Sequence, residues 1–150
     1  MSDSSQSVYQ TGETTLLNVK NADEEDWSVY VGRKNNYYNL PQSEFANPFR
    51  LDDYSRDASV DLYTLWFMYQ IVTDDAFKSS AENLQGETLA CWCVPERCHG
   101  MVLVDYAENQ TVPIQELHEI VERRDTGSLD GVDERTKETI TAAVNWLESE

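Results

Sequence analysis

The segment that most constrains the fold is residues 86–107, GETLACWCVPERCHGMVLVDYA, because it joins a buried strand to a buried helix with almost no linker. ETLACWCV is an apolar run of strand length, and Pro95 ends it because proline cannot donate to a strand ladder. From Cys98 onward, apolar residues recur with the spacing of a buried helix. A strand that passes directly into a helix is typical of an α/β layer.

The sequence before this segment extends the pattern. TTLLNV (14–19) and WSVYVGR (27–33) predict two short strands. Apolar residues spaced by three and four predict a buried helix over about 57–71, and a short polar helix follows at 75–84. This order of elements predicts an α/β fold with a small sheet of about three to four strands, partly parallel and flanked by helices.

The two ends of the chain differ from this centre. Residues 1–13 are polar and Ser-rich and lack apolar periodicity, so we expect a flexible N-terminal segment. Residues 14–108 form the predicted α/β domain, and residues 109–150 form a helical C-terminal extension. The chain is therefore expected to hold one domain with appendages.

The extension predicts a helical hairpin. One helix begins at Pro113, and Asp130 or Asp133 caps a second. Each helix carries one apolar stripe. We therefore expect residues 113–149 to close one side of the sheet or to contact a second copy or a protein partner.

The charge balance is strongly acidic. The chain has 28 acidic and 11 basic residues, a formal net charge of -17 and a pI near 4.2. No basic footprint is present, so nucleic-acid binding is not supported. Acidic residues spread along the whole chain are typical of proteins that work in molar salt, although an acidic binding surface has the same composition. Since no segment has the length of a membrane span or the regions of a secretory signal, we expect a cytoplasmic protein.

The cysteine cluster admits three readings. Cys91, Cys93, Cys98 and His99 fall within nine positions and are expected to converge where the strand meets the helix, as zinc ligands would. Alternatively, Cys98 is a thiol whose pKa is lowered by the helix N-terminus and by His99. In the third reading the cysteines are small buried hydrophobic residues.

A second group of residues predicts an anion site. Gly32 and Arg33 follow a strand, and ligands of open α/β sheets bind at the carboxyl ends of strands. Gly100 opens the helix after the cysteine cluster, where free amides can hold a phosphate or carboxylate. Asn47 lies in the turn ANPF, and Arg50 adds a second guanidinium in a chain poor in basic residues.

The segment 34–56 is a long loop without a sustained period, and such loops are often functional. It contains Tyr37, Tyr38 and Tyr54, which either stack on a base or ring or cover the loop.

VYVGRK (29–34), NPF (47–49) and the segment 86–107 together resemble the DUF4326 family, a domain of unknown function found in prokaryotes and their viruses. The resemblance covers roughly residues 14–108. This chain departs from the family pattern in having Ala46 where a glycine usually precedes NPF. The resemblance implies a small α/β domain without an established substrate, and with the acidic composition the chain looks like a haloarchaeal or halovirus member.

Two functions follow as predictions. In the first, the protein binds a phosphorylated small molecule or nucleotide derivative, and an enzymatic version would use Cys98 or His99 as nucleophile or general acid/base. In the second, Cys91, Cys93, Cys98 and His99 bind zinc and stabilise a structural or protein-interaction module without catalysis.

Overall fold

The computed structural model describes residues 8–21 and 26–149, whose contacts form two compact units. Unit 1 comprises Met1–Ala46 and Ser79–Gln110, and unit 2 comprises Asn47–Lys78 and Thr111–Glu150. Neither unit is continuous in sequence, because each takes in one early and one late stretch of the chain.

Unit 1 holds a four-stranded sheet in the order β1-β2-β4-β3. The strands are β1 (Val8–Thr11), β2 (Thr14–Asn18), β3 (Val29–Tyr30) and β4 (Thr88–Cys91). β1 and β2 form an antiparallel hairpin, whereas β2 and β3 both pair in parallel with β4. The predicted α/β class and the partly parallel sheet are therefore confirmed.

Two strand boundaries differ from the predictions. The prediction of a flexible segment over 1–13 fails at residues 8–11, which form β1, while residues 1–7 lie outside the described residues. Backbone pairing with β2 outweighs the polar composition of this stretch. β3 is shorter than the predicted strand 27–33, since its register with β4 covers Val29 and Tyr30, with one backbone hydrogen bond to β4 from Ser28 and one from Val31 on either side.

Helix α3 (His99–Asn109) packs against β1, β2 and β4. Leu16 and Leu89 are register partners on β2 and β4, both are fully buried, and Leu16 meets the first turn of α3 at Gly100. Tyr30 and Ala90 are also register partners, and together with Leu40 they form a separate buried cluster. Side chains alternate along strands, so these two clusters lie on opposite faces of the sheet.

Unit 2 is helical. Its helices are α1 (Arg56–Thr73), α4 (Ile114–Arg123) and α5 (Glu134–Glu148), and α2 (Asp75–Glu82) lies between α1 and β4 in the chain. α1 packs against both α4 and α5, which also pack against each other. The predicted buried helix and the C-terminal helices are confirmed, and the cap of α5 is Asp133, whose carboxylate accepts a hydrogen bond from the Thr136 N–H at 2.8 Å.

The contacts group the elements differently from the predicted boundary at residue 109. α4 and α5 share unit 2 with α1, which lies within the predicted domain 14–108. The extension therefore completes a helical unit to which the centre of the chain also contributes. None of the helices in the described part of the chain has the length and apolar character needed to cross a membrane.

Candidate functional site

Three strands of unit 1 run parallel, so their carboxyl ends lie at one edge of the sheet. We call the segments that leave this edge, residues 31–34 after β3 and 92–98 after β4, together with the first turn of α3, the carboxyl edge. Arg33 and Lys34 lie in the first segment and Arg97 in the second. Three of the eleven basic residues of this acidic chain therefore belong to the carboxyl edge.

Asn18, at the end of β2, supports the segment after β4. Its side-chain amide donates to the Val94 carbonyl at 2.8 Å and to the Trp92 carbonyl at 3.2 Å. Asn18 is buried, so these bonds satisfy an amide that would otherwise be costly to bury. Asn18 therefore positions the turn that leads to α3.

His99 is buried at the start of α3, and its Nε2 lies 2.8 Å from the Val31 carbonyl oxygen. A carbonyl oxygen only accepts, so Nε2 carries the proton and Nδ1 is the unprotonated ring nitrogen. Nδ1 lies 3.7 Å from the Cys98 sulfur. Burial, with a smaller contribution from the nearby Arg33 charge, lowers the pKa of His99 to about 4, although the hydrogen bond to Val31 acts in the opposite direction. His99 is therefore a neutral imidazole at pH 7.

The three thiols meet at this point. Cys98 is the N-cap of α3, and its sulfur accepts a hydrogen bond from the Gly100 N–H at 3.4 Å. Hydrogen bonds from Cys98 to Cys91 and Cys93, together with burial, raise the pKa of Cys98 well above its usual value. The hydrogen bond from Cys98 lowers the pKa of Cys91.

This arrangement opposes the predicted activation of Cys98. The prediction relied on the helix N-terminus and on the neighbouring His99 to lower the pKa of the Cys98 thiol, and a histidine has this effect through its positive charge. His99 is instead neutral, and Cys98 donates its proton within the cluster and is only 1% exposed. Cys98 thus acts as a protonated cap of α3 in this geometry.

The predicted zinc ligands converge only in part. Cys91, Cys93 and Cys98 share hydrogen bonds, and the Nδ1 of His99 lies 3.7 Å from the Cys98 sulfur while its Nε2 donates to the Val31 carbonyl. Over residues 8–21 and 26–149, no group of three or more His, Cys, Asp or Glu side chains is placed to hold a metal ion.

Packing within unit 1 explains why both positions predicted for ligand binding, 32 and 100, are occupied by glycine. A Cβ added at Gly32 would lie 2.5 Å from the Tyr30 hydroxyl, and one added at Gly100 would lie 2.8 Å from a Leu16 methyl carbon. Gly32 therefore permits the Tyr30 side chain to fold over the chain. Gly100 permits α3 to approach β2 closely.

Asn47 and Arg50 belong to unit 2. The Asn47 side chain donates to the Ser59 hydroxyl at 2.9 Å and accepts from the Phe49 N–H at 2.8 Å. These two hydrogen bonds stabilise the NPF turn. The Arg50 side chain is 54% exposed and lies 4.0 Å from Asp52. Both residues belong to unit 2, so the carboxyl edge as defined above does not include them.

Sequence reasoning missed Lys34, Arg97 and Asn18. Lys34 directly follows Arg33, and Arg97 directly precedes the helix cap, so both positions carried a signal in the sequence. Asn18 ends an apolar strand, but a single polar residue there does not reveal its partners.

The family described as "Domain of unknown function (DUF4326)" matches residues 16–109. An uncharacterized protein of Acanthamoeba polyphaga mimivirus is 34% identical over 95 residues, which cover 57% of this chain and 70% of that protein. An uncharacterized 12.4 kDa protein of Enterobacteria phage T4, encoded in the nrdA-td intergenic region, is 35% identical over 49 residues, which cover 33% of this chain and 45% of that protein. No solved structure matches. On the family match and the mimivirus relative, the chain belongs to the DUF4326 family.

Proposed function

We propose that the carboxyl edge of unit 1 binds a phosphorylated small molecule or nucleotide derivative. The observation that carries this proposal is the presence of Arg33, Lys34 and Arg97 on the segments leaving parallel strands that end beside α3. Guanidinium groups recognise phosphate oxygens through paired hydrogen bonds, and α/β sheets bind ligands at this end of their strands.

The protonation states favour binding over catalysis. A nucleophilic cysteine needs its thiolate, whereas the Cys98 pKa is raised well above its usual value. His99 is neutral and donates to a carbonyl through Nε2, so only Nδ1 is left as a base, and it faces Cys98. The enzymatic version of the prediction therefore has weaker support than the binding version.

The experiment is a calorimetric titration of ribose 5-phosphate and AMP at constant ionic strength, with the parent and Arg33→Ala. We expect a phosphate compound to bind the parent and Arg33→Ala to weaken it about tenfold or more, because a charge-assisted hydrogen bond contributes roughly 1.5–3 kcal/mol. Arg135→Ala is the matched control, since it removes the same charge from an exposed position on α5. Absence of heat with both compounds, or equal losses in the two variants, contradicts the proposal.

The zinc-stabilised module is the second candidate. The observation in its favour is that three thiols meet at the start of α3. Its test is elemental analysis of protein purified without a histidine tag or chelator. One zinc per chain, with loss of folding on chelation, supports this candidate, because metal-binding energy is folding energy in such domains. Metal-free protein with unchanged stability contradicts it.

We propose that the protein binds its phosphorylated ligand in a cytoplasm of high salt concentration. The support is the formal charge of -17 on 150 residues. At about 1 M salt the screening length falls to roughly 3 Å, so repulsion between acidic groups is then largely removed, while short contacts such as Arg33 to phosphate persist.

A further inference from the structure

The face of the unit 1 sheet opposite α3 carries five aromatic side chains. Tyr30 lies in the buried cluster with Ala90 and Leu40, and Trp27 and Trp92 pack against that cluster. The Tyr38 ring lies 5.3 Å from the Trp92 ring, and the Tyr37 ring lies 4.9 Å from the Tyr38 ring in an edge-to-face arrangement. The series therefore runs from the core outward to Tyr37.

The outer end of this series is exposed to an unusual extent. Tyr37 is 88% exposed and Tyr38 is 46% exposed, and they are two of only four large hydrophobic residues exposed in the described part of the chain. Burial of apolar area stabilises a fold, so the Tyr37 ring, which is 88% exposed, contributes little to the folding of unit 1.

The loop that carries the two tyrosines is held by specific bonds. The backbones of Asn35 and Leu40 bond to each other in both directions at 2.9 and 2.8 Å. The Asn35 side chain accepts from the Tyr38 N–H at 3.1 Å, and the buried Leu40 anchors the loop. Tyr37 is thus presented by a closed loop, which lowers the entropy lost when a ligand binds.

Hydrogen bonds join this aromatic face to the carboxyl edge. The Trp92 indole N–H donates to the Tyr30 hydroxyl at 2.7 Å, and that hydroxyl donates to the Arg33 carbonyl at 2.5 Å. Burial raises the pKa of Tyr30, so its hydroxyl keeps the proton that it donates. In the chain, Arg33 and Tyr37 are four residues apart, which limits their Cα separation to about 14 Å.

We infer that Tyr37 and Tyr38 form a stacking subsite for the planar base of a mononucleotide whose phosphate binds at Arg33, Lys34 and Arg97. The inference rests on the proposed function and narrows its ligand from any phosphorylated small molecule to one that carries an aromatic ring. Two complementary surfaces support this occupant: a basic edge that suits a phosphate, and an exposed ring pair that suits a base. The net charge of -17 favours a single nucleotide over a strand with many phosphates.

The test compares AMP, CMP, ribose 5-phosphate and adenosine by calorimetry with the parent, Tyr37→Ala and Tyr37→Phe. Tyr37 is 88% exposed, so neither change should affect folding, and the melting temperature verifies this. We expect the parent to bind both nucleotides at least about fivefold tighter than ribose 5-phosphate, because stacking on one aromatic ring contributes roughly 1–3 kcal/mol per base. Tyr37→Ala should remove this preference and leave ribose 5-phosphate binding unchanged, whereas Tyr37→Phe should retain it.

The outcomes separate this inference from the proposed function. Equal affinity of AMP and ribose 5-phosphate in the parent, with no effect of Tyr37→Ala, overturns the stacking subsite while the phosphate site stands. Adenosine binding that depends on Tyr37, in the absence of ribose 5-phosphate binding, supports the subsite and overturns the phosphate site. Tighter binding of a short oligothymidylate than of its mononucleotide overturns the assignment to a mononucleotide.

Discussion

The Nε2 of His99 lies 2.8 Å from the carbonyl oxygen of Val31, and this contact joins the first turn of α3 to the segment that follows β3. Both residues are buried. The bond assigns the imidazole tautomer and fixes the position of α3 relative to Gly32 and Arg33, which come next in the chain. A residue predicted to do chemistry is thus a structural support of the candidate site.

Acid should weaken the fold through His99. Its pKa in the folded protein is about 4, whereas the unfolded chain binds the proton near pH 6.5. The unfolded state therefore takes up a proton first, and unfolding becomes more favourable as pH falls from 6.5 to 4. This loss amounts to about 3 kcal/mol and is absent above pH 6.5.

The measurement is denaturant unfolding of the parent and His99→Gln across this pH range. Carboxylates titrate in the same range in both proteins, so their contribution cancels in the difference between the two free energies of unfolding. His118→Gln removes the other histidine and controls for loss of an imidazole. Long-range ¹H–¹⁵N spectra should show the Nε2–H tautomer of His99 at pH 6. A parent and His99→Gln with the same pH dependence would contradict the prediction.

The thiols should react in order of access. Cys93 is partly exposed, whereas Cys91 and Cys98 are 0% and 1% exposed. We expect iodoacetamide to modify Cys93 first in the folded protein and all three at comparable rates in denaturant, as peptide mass mapping would report. Rapid modification of Cys98 in the folded state would restore the reading of that residue as an activated thiol.

The buried carboxylate of Asp61 should be essential to unit 2. Its side chain is fully buried on α1, and it accepts a bidentate pair of hydrogen bonds from Arg123 at 3.0 and 3.1 Å and a third from Arg124 at 2.7 Å. We expect Asp61→Asn to lower the free energy of unfolding by about 1–3 kcal/mol, because the buried side chain loses hydrogen bonds from two charged groups, whose own side chains are 44% and 25% exposed. Denaturant titration measures the loss.

The control for Asp61 is an exposed ion pair on α5. Lys137 and Glu134 lie 3.2 Å apart, with side chains 43% and 82% exposed. Lys137→Ala should change the free energy of unfolding by less than about 1 kcal/mol, since solvent screens such pairs. Similar losses for the two substitutions would show that Asp61 is not a special support of unit 2.

Gly32→Ala should disturb the aromatic face. Its Cβ would lie 2.5 Å from the Tyr30 hydroxyl, which is held by Trp92 and by the Arg33 carbonyl. We expect a loss of about 1–3 kcal/mol, as for other overpacked sites, and a change in tryptophan fluorescence as the Trp92 bond is displaced. Gly127→Ala is the matched control, because the nearest atom to its added Cβ is 3.7 Å away. If the two variants melt alike, Tyr30 is free to move.

Salt should stabilise the protein. A net charge of -17 opposes the compact state by self-repulsion, and salt screens that repulsion. Calorimetric scans should therefore give a melting temperature that rises from 0.1 to 2 M KCl at pH 7. A melting temperature that is constant or falls over this range would contradict adaptation to molar salt and leave the acidic residues as a binding surface.

Much of the fold was predictable because its signals are local. The apolar spacing in α1, the strand and helix on either side of Pro95, and Asp133 as one of two candidate caps all depend on residues within one or two turns of each other. β1 was missed for the converse reason. VYQT has no strand pattern strong enough to predict pairing, and its structure depends on the β2 partner.

The candidate site was predictable only in part. Placement of Arg33 after a strand and of Cys98 before a helix followed from the sequence, whereas their protonation and partners did not. The burial of His99 and its bond to Val31, 68 positions earlier, leave the imidazole neutral, and hydrogen bonds to Cys91 and Cys93 raise the pKa of Cys98. The partners of Asp61 were likewise not predictable. In the sequence it is an acidic residue near the start of a helix, whereas in the structure it is buried and paired with Arg123 at the end of α4 and with Arg124, the C-cap of α4.

The sequence alone thus determined the α/β class, most of the helices, the acidic surface and the convergence of cysteines near the start of α3. Only the tertiary structure decided the strand order, the division into two units and the proton positions at the carboxyl edge. The physical reason is the sequence separation over which each kind of interaction acts. Periodicity and capping act over a few residues, whereas burial, pKa and hydrogen-bond partners depend on which distant segments the chain brings together.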